Sequence, residues 1–234
     1  MDPNELIKAA PQLAKGAAAL GAAVPFTAIV KRMLGPATDE VAEMWRDQIR
    51  VYRYGRQLKL LEKAEKMAKD AGLTPQAVPP KILFPLLEGA SFEDNEHLHT
   101  MWAALLANAA SPNGLELVRP GFIAILRELA PDEAALLNWL YETADTIAPP
   151  LNQIRLISAY VSLGFGPKDT DSSRKQLSES QAFLQRFVAC RDSLESARLL
   201  RRSIGENDET HYLLSLTGRA FVTLCRPPEP KENG

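Results

Sequence analysis

Apolar residues recur three and four positions apart through most of the chain, the spacing of one helix face. Val51, Tyr54, Leu58 and Leu61 form such a stripe and predict a helix over Thr38–Ala71. Thr38 suits its N-cap, Asp39 and Glu40 suit its positive end, and Gly72 suits the position after it. Arg53, Arg56, Lys59, Lys63 and Lys66 run along the other side, with Glu62–Lys66 and Glu65–Lys69 as supporting pairs. A Pro-marked connection, LTPQAVPPK, leads to a short helix over Ile82–Glu88. Ser91 is placed to cap the next helix, with Glu93 and Asp94 in its first turn and Leu98, Trp102, Leu105 and Ala109 as its buried stripe. Asn108 to Gly114 reads as a turn region. Pro120 opens a helix with Phe122, Ile125, Leu126 and Leu129 inward. Pro131 opens another, with Asp132 and Glu133 in its first turn and Leu136, Leu137, Leu140, Tyr141 and Ala144 on its apolar face. Pro149 and Pro150 stop regular structure.

The pattern then changes. A helix over Asn152–Leu163 ends near GFGP, and Lys168–Gln176 reads as an exposed polar loop before a helix over Leu177–Asp192. Leu199–Ile204 and His211–Leu216 pair as strands across the polar GENDET turn, and Thr217 caps a last short helix to Cys225. The predicted fold is mainly α: a helical bundle with a C-terminal winged-helix-like module carrying a small β-hairpin. The expected organisation is an Ala-rich helical segment at 1–36, a helical core at 37–150, the winged-helix-like module at 151–226 and a disordered tail at 227–234.

Composition narrows the class. The chain has 234 residues and a net charge of −2, so no overall field draws it to nucleic acid or an anionic membrane. Two cysteines, Cys190 and Cys225, are too few for a disulfide framework and lack metal spacing, which fits a reducing cytoplasm. The start, MDPNELIK, does not read as a cleavable signal. Gly16–Val30 is uncharged but interrupted by Pro25 and shorter than the roughly 20 residues of a spanning helix. It reads as a small-residue helix packed against a neighbour, or as a segment entering a membrane or an oligomer interface. On the second reading Lys15, Phe26, Lys31 and Arg32 join Arg53, Arg56, Lys59 and Lys63 as membrane or partner contacts.

Candidate chemistry is sparse. No Walker loop, GxSxG, HExxH, paired CxxC or dinucleotide fingerprint occurs, so no catalytic, cofactor-binding or metal residue is assigned, and neither a cofactor nor a small-molecule substrate is expected. Glu93, Asp94, Glu96, His97 and His99 read as a solvated helix start. Glu93 and His97 could share a face as an acid–base pair, whereas His97 and His99 would point about 200° apart. His211 sits on the hairpin. Trp45, Trp102 and Trp139 read as core, with an interface role open to Trp45. Arg198, Arg201, Arg202 and Arg219 lie in and beside the hairpin and are candidate nucleic-acid contacts, although the helix before them offers only Gln181, Gln185, Arg186 and Arg191 for reading bases.

The stretch PPKILFPLLEGASFEDNEHLHTMWAALLANAASP resembles the core motif of the bacterial abortive-infection alpha family. The positions that carry it are Pro80, Lys81, Ile82, Pro85, Leu86, Leu87, Glu88, Ala90 and Ser91, then Leu98, Met101, Trp102, Ala103 and Leu105 to Ala109. RYGRQLKLLEKAEKMAKDAGL, RPGFIAILRELAPDEAALL and LTGRAF are similar as well, so the resemblance runs from about Trp45 to Cys225. It implies antiphage defence by arrest or death of the infected cell, and carries over no catalytic residue. The expected protein is non-enzymatic, cytoplasmic or peripheral to the inner membrane, and acts through a protein partner or self-association. A membrane-perturbing effector and a winged-helix nucleic-acid-binding regulator are the two mechanisms kept open.

Overall fold

The computed structural model describes residues 51–112, 114–143, 151–167, 173–205 and 208–230. The expectations for Thr38, Trp45, the Gly16–Val30 segment, Lys15, Phe26, Lys31, Arg32 and the Pro149–Pro150 boundary lie outside these residues. The protein is mainly helical with one small antiparallel sheet, as the pattern predicts. It divides into two compact units, Met1–Ala124 with Leu224–Gly234, and Ile125–Thr223.

In the first unit α1 (Val51–Asp70) packs on α2 (Pro80–Ser91) and α3 (Glu96–Ala109), followed by a short α4 (Gly114–Leu117). The buried seam of α1 is Gln57, Leu60, Leu61, Ala64, Ala68 and Ala71, whereas Tyr54 is 42% exposed and Leu58 half-buried. The seam is therefore rotated from the expected Val51–Tyr54–Leu58–Leu61 stripe. Its alanines meet a helix whose own Ala103, Ala104 and Ala107 are buried, and small side chains let two backbones approach. Gly72 takes the predicted left-handed conformation, φ 65°. Its N–H reaches Lys69 O at 2.9 Å and that of Leu73 reaches Ala68 O at 2.9 Å, which closes α1 in a Schellman motif.

α2 is longer than the expected Ile82–Glu88. Pro80 opens it and Pro85 is carried inside it, because Ile82, Leu83, Leu86 and Leu87 bury one continuous face. A Cβ on Gly89 would strike the Trp102 ring, so glycine is what lets the indole lie on α2. Ser91 does not cap the next helix. It ends α2, donating to Glu88 O at 2.7 Å, and Asn95 caps α3 by accepting from the His97 and Leu98 N–H groups at 2.9 and 3.1 Å. Glu93 and Asp94 accordingly precede α3. The Leu98, Trp102, Leu105 and Ala109 stripe is buried as expected, but so is nearly all of α3, which makes it the central helix of the unit. Asn108 lies inside α3 and not in the turn. Its Nδ2 sits 2.9 Å from both Leu224 O and Arg226 O and 3.0 Å from Ala104 O.

The unit division falls within α5 (Pro120–Glu128), where Ile123, Leu126 and Leu129 are buried and Phe122 and Ile125 half-buried. The second unit continues with α6 (Pro131–Thr143), β1 (Leu151–Asn152), α7 (Gln153–Tyr160), α8 (Ser173–Ser196), β2 (Leu200–Ile204), β3 (Thr210–Leu214) and α9 (Leu216–Leu224). The expected hairpin is present, with Leu200 opposite Leu214 and Ile204 opposite Thr210. β1 adds a third strand against β3, with Leu151 opposite Tyr212, giving the order β1-β3-β2. Two residues carry no readable alternation, so the pattern missed this strand. α8 begins earlier than expected, at Ser173, inside the segment read as loop. Ser215 rather than Thr217 caps α9: its Oγ accepts the Gly218 N–H at 2.8 Å and donates to Arg198 O at 2.6 Å. The core gathers Leu136, Leu137, Leu156, Tyr160, Phe187, Leu194, Tyr212 and Phe221. Tyr160 meets Phe187 edge-on at 5.5 Å and donates its hydroxyl hydrogen to Asp132. Among the described residues, no helix is long and apolar enough to cross a membrane.

Candidate functional site

Arg56, Lys59 and Lys63 are spaced three and four apart, so α1 presents them along one line. Asn95 starts α3 beside that line, and the first residue of α3 is Glu96. Its carboxylate takes all three cations: Arg56 Nη1 at 3.3 Å and Lys59 Nζ at 2.8 Å on Oε1, and Lys63 Nζ at 2.8 Å on Oε2. Lys63 also donates to Thr100 Oγ1 at 3.2 Å. The hydrogen bonds from Lys59 and Lys63 hold the Glu96 carboxyl at about 2, against 4.5 for an ordinary one. The Glu96 side chain is nevertheless 56% exposed and that of Lys59 50%, so the cluster faces water. Three positive charges against one negative leave it cationic.

Beneath it lies His99, fully buried. Its Nε2 is 3.1 Å from Arg56 O, and a carbonyl can only accept, so Nε2 carries the hydrogen. Nδ1 is buried without a partner, and burial lowers the ring's pKa. A second hydrogen on Nδ1 would have nothing to bond, which favours the neutral ring. Nε and Nη2 of Arg56 are also buried without partners. Arg53 turns elsewhere: Nε donates to Ser91 Oγ at 3.1 Å, and the guanidinium stacks 3.8 Å from the centre of the Phe92 ring, itself 60% exposed.

The expected solvated helix start is thus corrected at His99, which is core. Glu93 and His97 do not share a helix face, because Glu93 precedes α3 and its Oε1 accepts the Asn95 N–H at 2.8 Å. Among the described residues no three His, Cys, Asp or Glu side chains gather as a metal-holding group. Both cysteines are free and buried, and burial pushes their thiols up, away from the reactive thiolate.

The four candidate arginines, Arg198, Arg201, Arg202 and Arg219, are exposed but do not share one face. Arg201 and Arg202 are successive on β2 and point to opposite sides of the sheet, across from Leu213 and Tyr212. Arg198 holds the left-handed position after α8, φ 59°, and Arg219 lies 5.8 Å from the centre of the Tyr141 ring. The outward residues of α8 include Gln181, Leu184, Gln185, Arg186 and Val188. Arg191 is held by Asp192 at 2.7 Å and Glu195 at 4.0 Å.

The sequence picked out the cations of α1 but not Glu96 as their meeting point. The available signal was Asn95 followed by Glu96, a cap and a first-turn acid, hidden by the competing cap signal at Ser91. The motif residues from Ile82 to Ala109 are mostly spent on the core and its caps. Searches of curated proteins and of solved structures found no match. The sequence model of the family described as abortive infection alpha matches residues 55–225, which takes in the α1 cations from Arg56 onward, Glu96 and the whole second unit. With most of its length matched, the chain belongs to the abortive infection alpha family.

Proposed function

We propose that this protein is a non-enzymatic component of abortive infection, a defence against bacteriophage, and that it acts through contacts made by its basic cluster. The observation that carries the reading is the convergence of Arg56, Lys59 and Lys63 on one exposed carboxylate. An exposed, net cationic site suits an anionic group on a partner. Two groups that could serve proton transfer are committed to structure instead: His99 to a carbonyl and Tyr160 to Asp132. The test is phage challenge at low and high infection ratios of cells carrying wild type or the Lys59→Glu/Lys63→Glu double variant. Wild type protects at low ratio, as sacrifice of infected cells requires, and the double variant loses protection while keeping its helical circular dichroism. Protection retained by the folded double variant rejects the reading.

A membrane-perturbing effector would use the same cluster for anionic headgroups and the Gly16–Val30 segment for insertion; leakage from anionic liposomes is its measurement. A nucleic-acid-binding regulator is the second reading, favoured by the order helix–strand–helix–helix–strand–strand from α6 to β3, which suits a winged-helix-like module. Its measurement is a salt-dependent gel shift lost on replacing Arg201 and Arg202.

A further inference from the structure

Resting on that reading of the cluster, we infer that Arg56, Lys59 and Lys63 form a phosphate-binding site in which Glu96 stands in for the phosphate. Glu96 satisfies the two lysines, one on each oxygen, but meets Arg56 only through Nη1 at 3.3 Å. Arg56 Nη1 and Lys59 Nζ share the single oxygen Oε1, and the Arg56 contact is the longer of the two. Two carboxylate oxygens serve three cations only by sharing. Inorganic phosphate or a phosphate monoester has a third oxygen and a second negative charge, which match the third cation and the excess of positive charge. The start of α3 adds the positive end of a 14-residue helix at the same place. Glu96 is exposed, so a ligand reaches Arg56 Nη1, Lys59 and Lys63 by displacing it. A carboxylate ligand would bring only what Glu96 already supplies, so the chemistry selects phosphate. Glu96 is then a built-in competitor that sets how strongly the site binds.

The test titrates inorganic phosphate into the full chain and follows the Arg56 Nε and lysine Nζ resonances by NMR. Glu96→Gln removes the competing charge and is expected to bind phosphate about tenfold more tightly than wild type. Lys59→Met/Lys63→Met in the same background abolishes binding, with folding checked by circular dichroism. Equal affinity in wild type and Glu96→Gln, no shift of Arg56 Nε in Glu96→Gln, or binding that survives loss of both lysines overturns the inference. Flotation with phosphatidic acid vesicles, competed by phosphate, assigns the group to a lipid headgroup; phosphate binding without flotation assigns it to a soluble phosphate monoester. If phosphate fails to bind while Lys59→Glu/Lys63→Glu still loses protection, this inference falls and the contact reading stands. If phosphate binds and the double variant still protects, the contact reading falls instead.

Discussion

Single side chains carry much of the first unit's specificity. Gly89 leaves room for the Trp102 ring, so Gly89→Ala forces one helix off the other and should cost about 1–3 kcal/mol, read as a lower urea midpoint. Asn108→Ala removes the amide shared among three carbonyls and leaves those of Leu224 and Arg226 without it; the expected loss is about 1–3 kcal/mol. His99 gives the stability a pH dependence of known sign. Its pKa is below the ordinary 6.5 in the folded protein, so under that value the unfolded chain takes up a proton that the folded one refuses. The contribution is present above 6.5 and is lost as pH falls through it. Comparing urea midpoints at about pH 5 and about pH 7.5, wild type should fall in acid more than His99→Gln does. None of these roles was legible beforehand. His99 sits in a run of acids and polar residues that looks solvated, and only the position of α1 over it makes it core.

Among the elements, what was legible and what was not divides by length. Long periodic segments such as α1, α3 and α6 announce themselves, since many residues vote for one face. α4 and β1 are too short for any periodicity. Caps were misassigned because several residues compete: Ser91 and Asn95 are both good N-caps, and the packing of α2 through Ser91 decides between them. The end of α8 shows the same competition at a C-terminus. The N–H groups of Arg198 and Leu199 reach Glu195 O and Leu194 O, both at 2.9 Å, so Arg198 occupies the site that glycine usually fills. Arg198→Gly should relieve its positive φ and raise stability by about 0.5–1 kcal/mol, measured by thermal or urea unfolding. Between α1 and α3, Glu96 gains stability from Lys59 and Lys63 that is complete above pH 4.5 and is lost as pH falls towards about 2. Replacing both lysines by Met should return the Glu96 titration towards 4.5, followed by carbon NMR of its carboxyl.

For the molecule as a whole, the site residues lie inside the family's matched stretch but are not among the positions that mark its core motif. The motif is legible because core packing constrains long runs of neighbouring positions. The site is not, because its carboxylate lies 33 to 40 residues from the cations it gathers. The first unit also draws on both ends of the sequence, residues before Ala124 and after Leu224. The carbonyls that Asn108 engages lie 116 and 118 residues downstream of it. On a ribosome, which releases a chain from its N-terminus, those acceptors emerge after the whole second unit. The clasp at Asn108 therefore cannot close until the second unit has been synthesised, so the first unit waits on chain made long after its own α3.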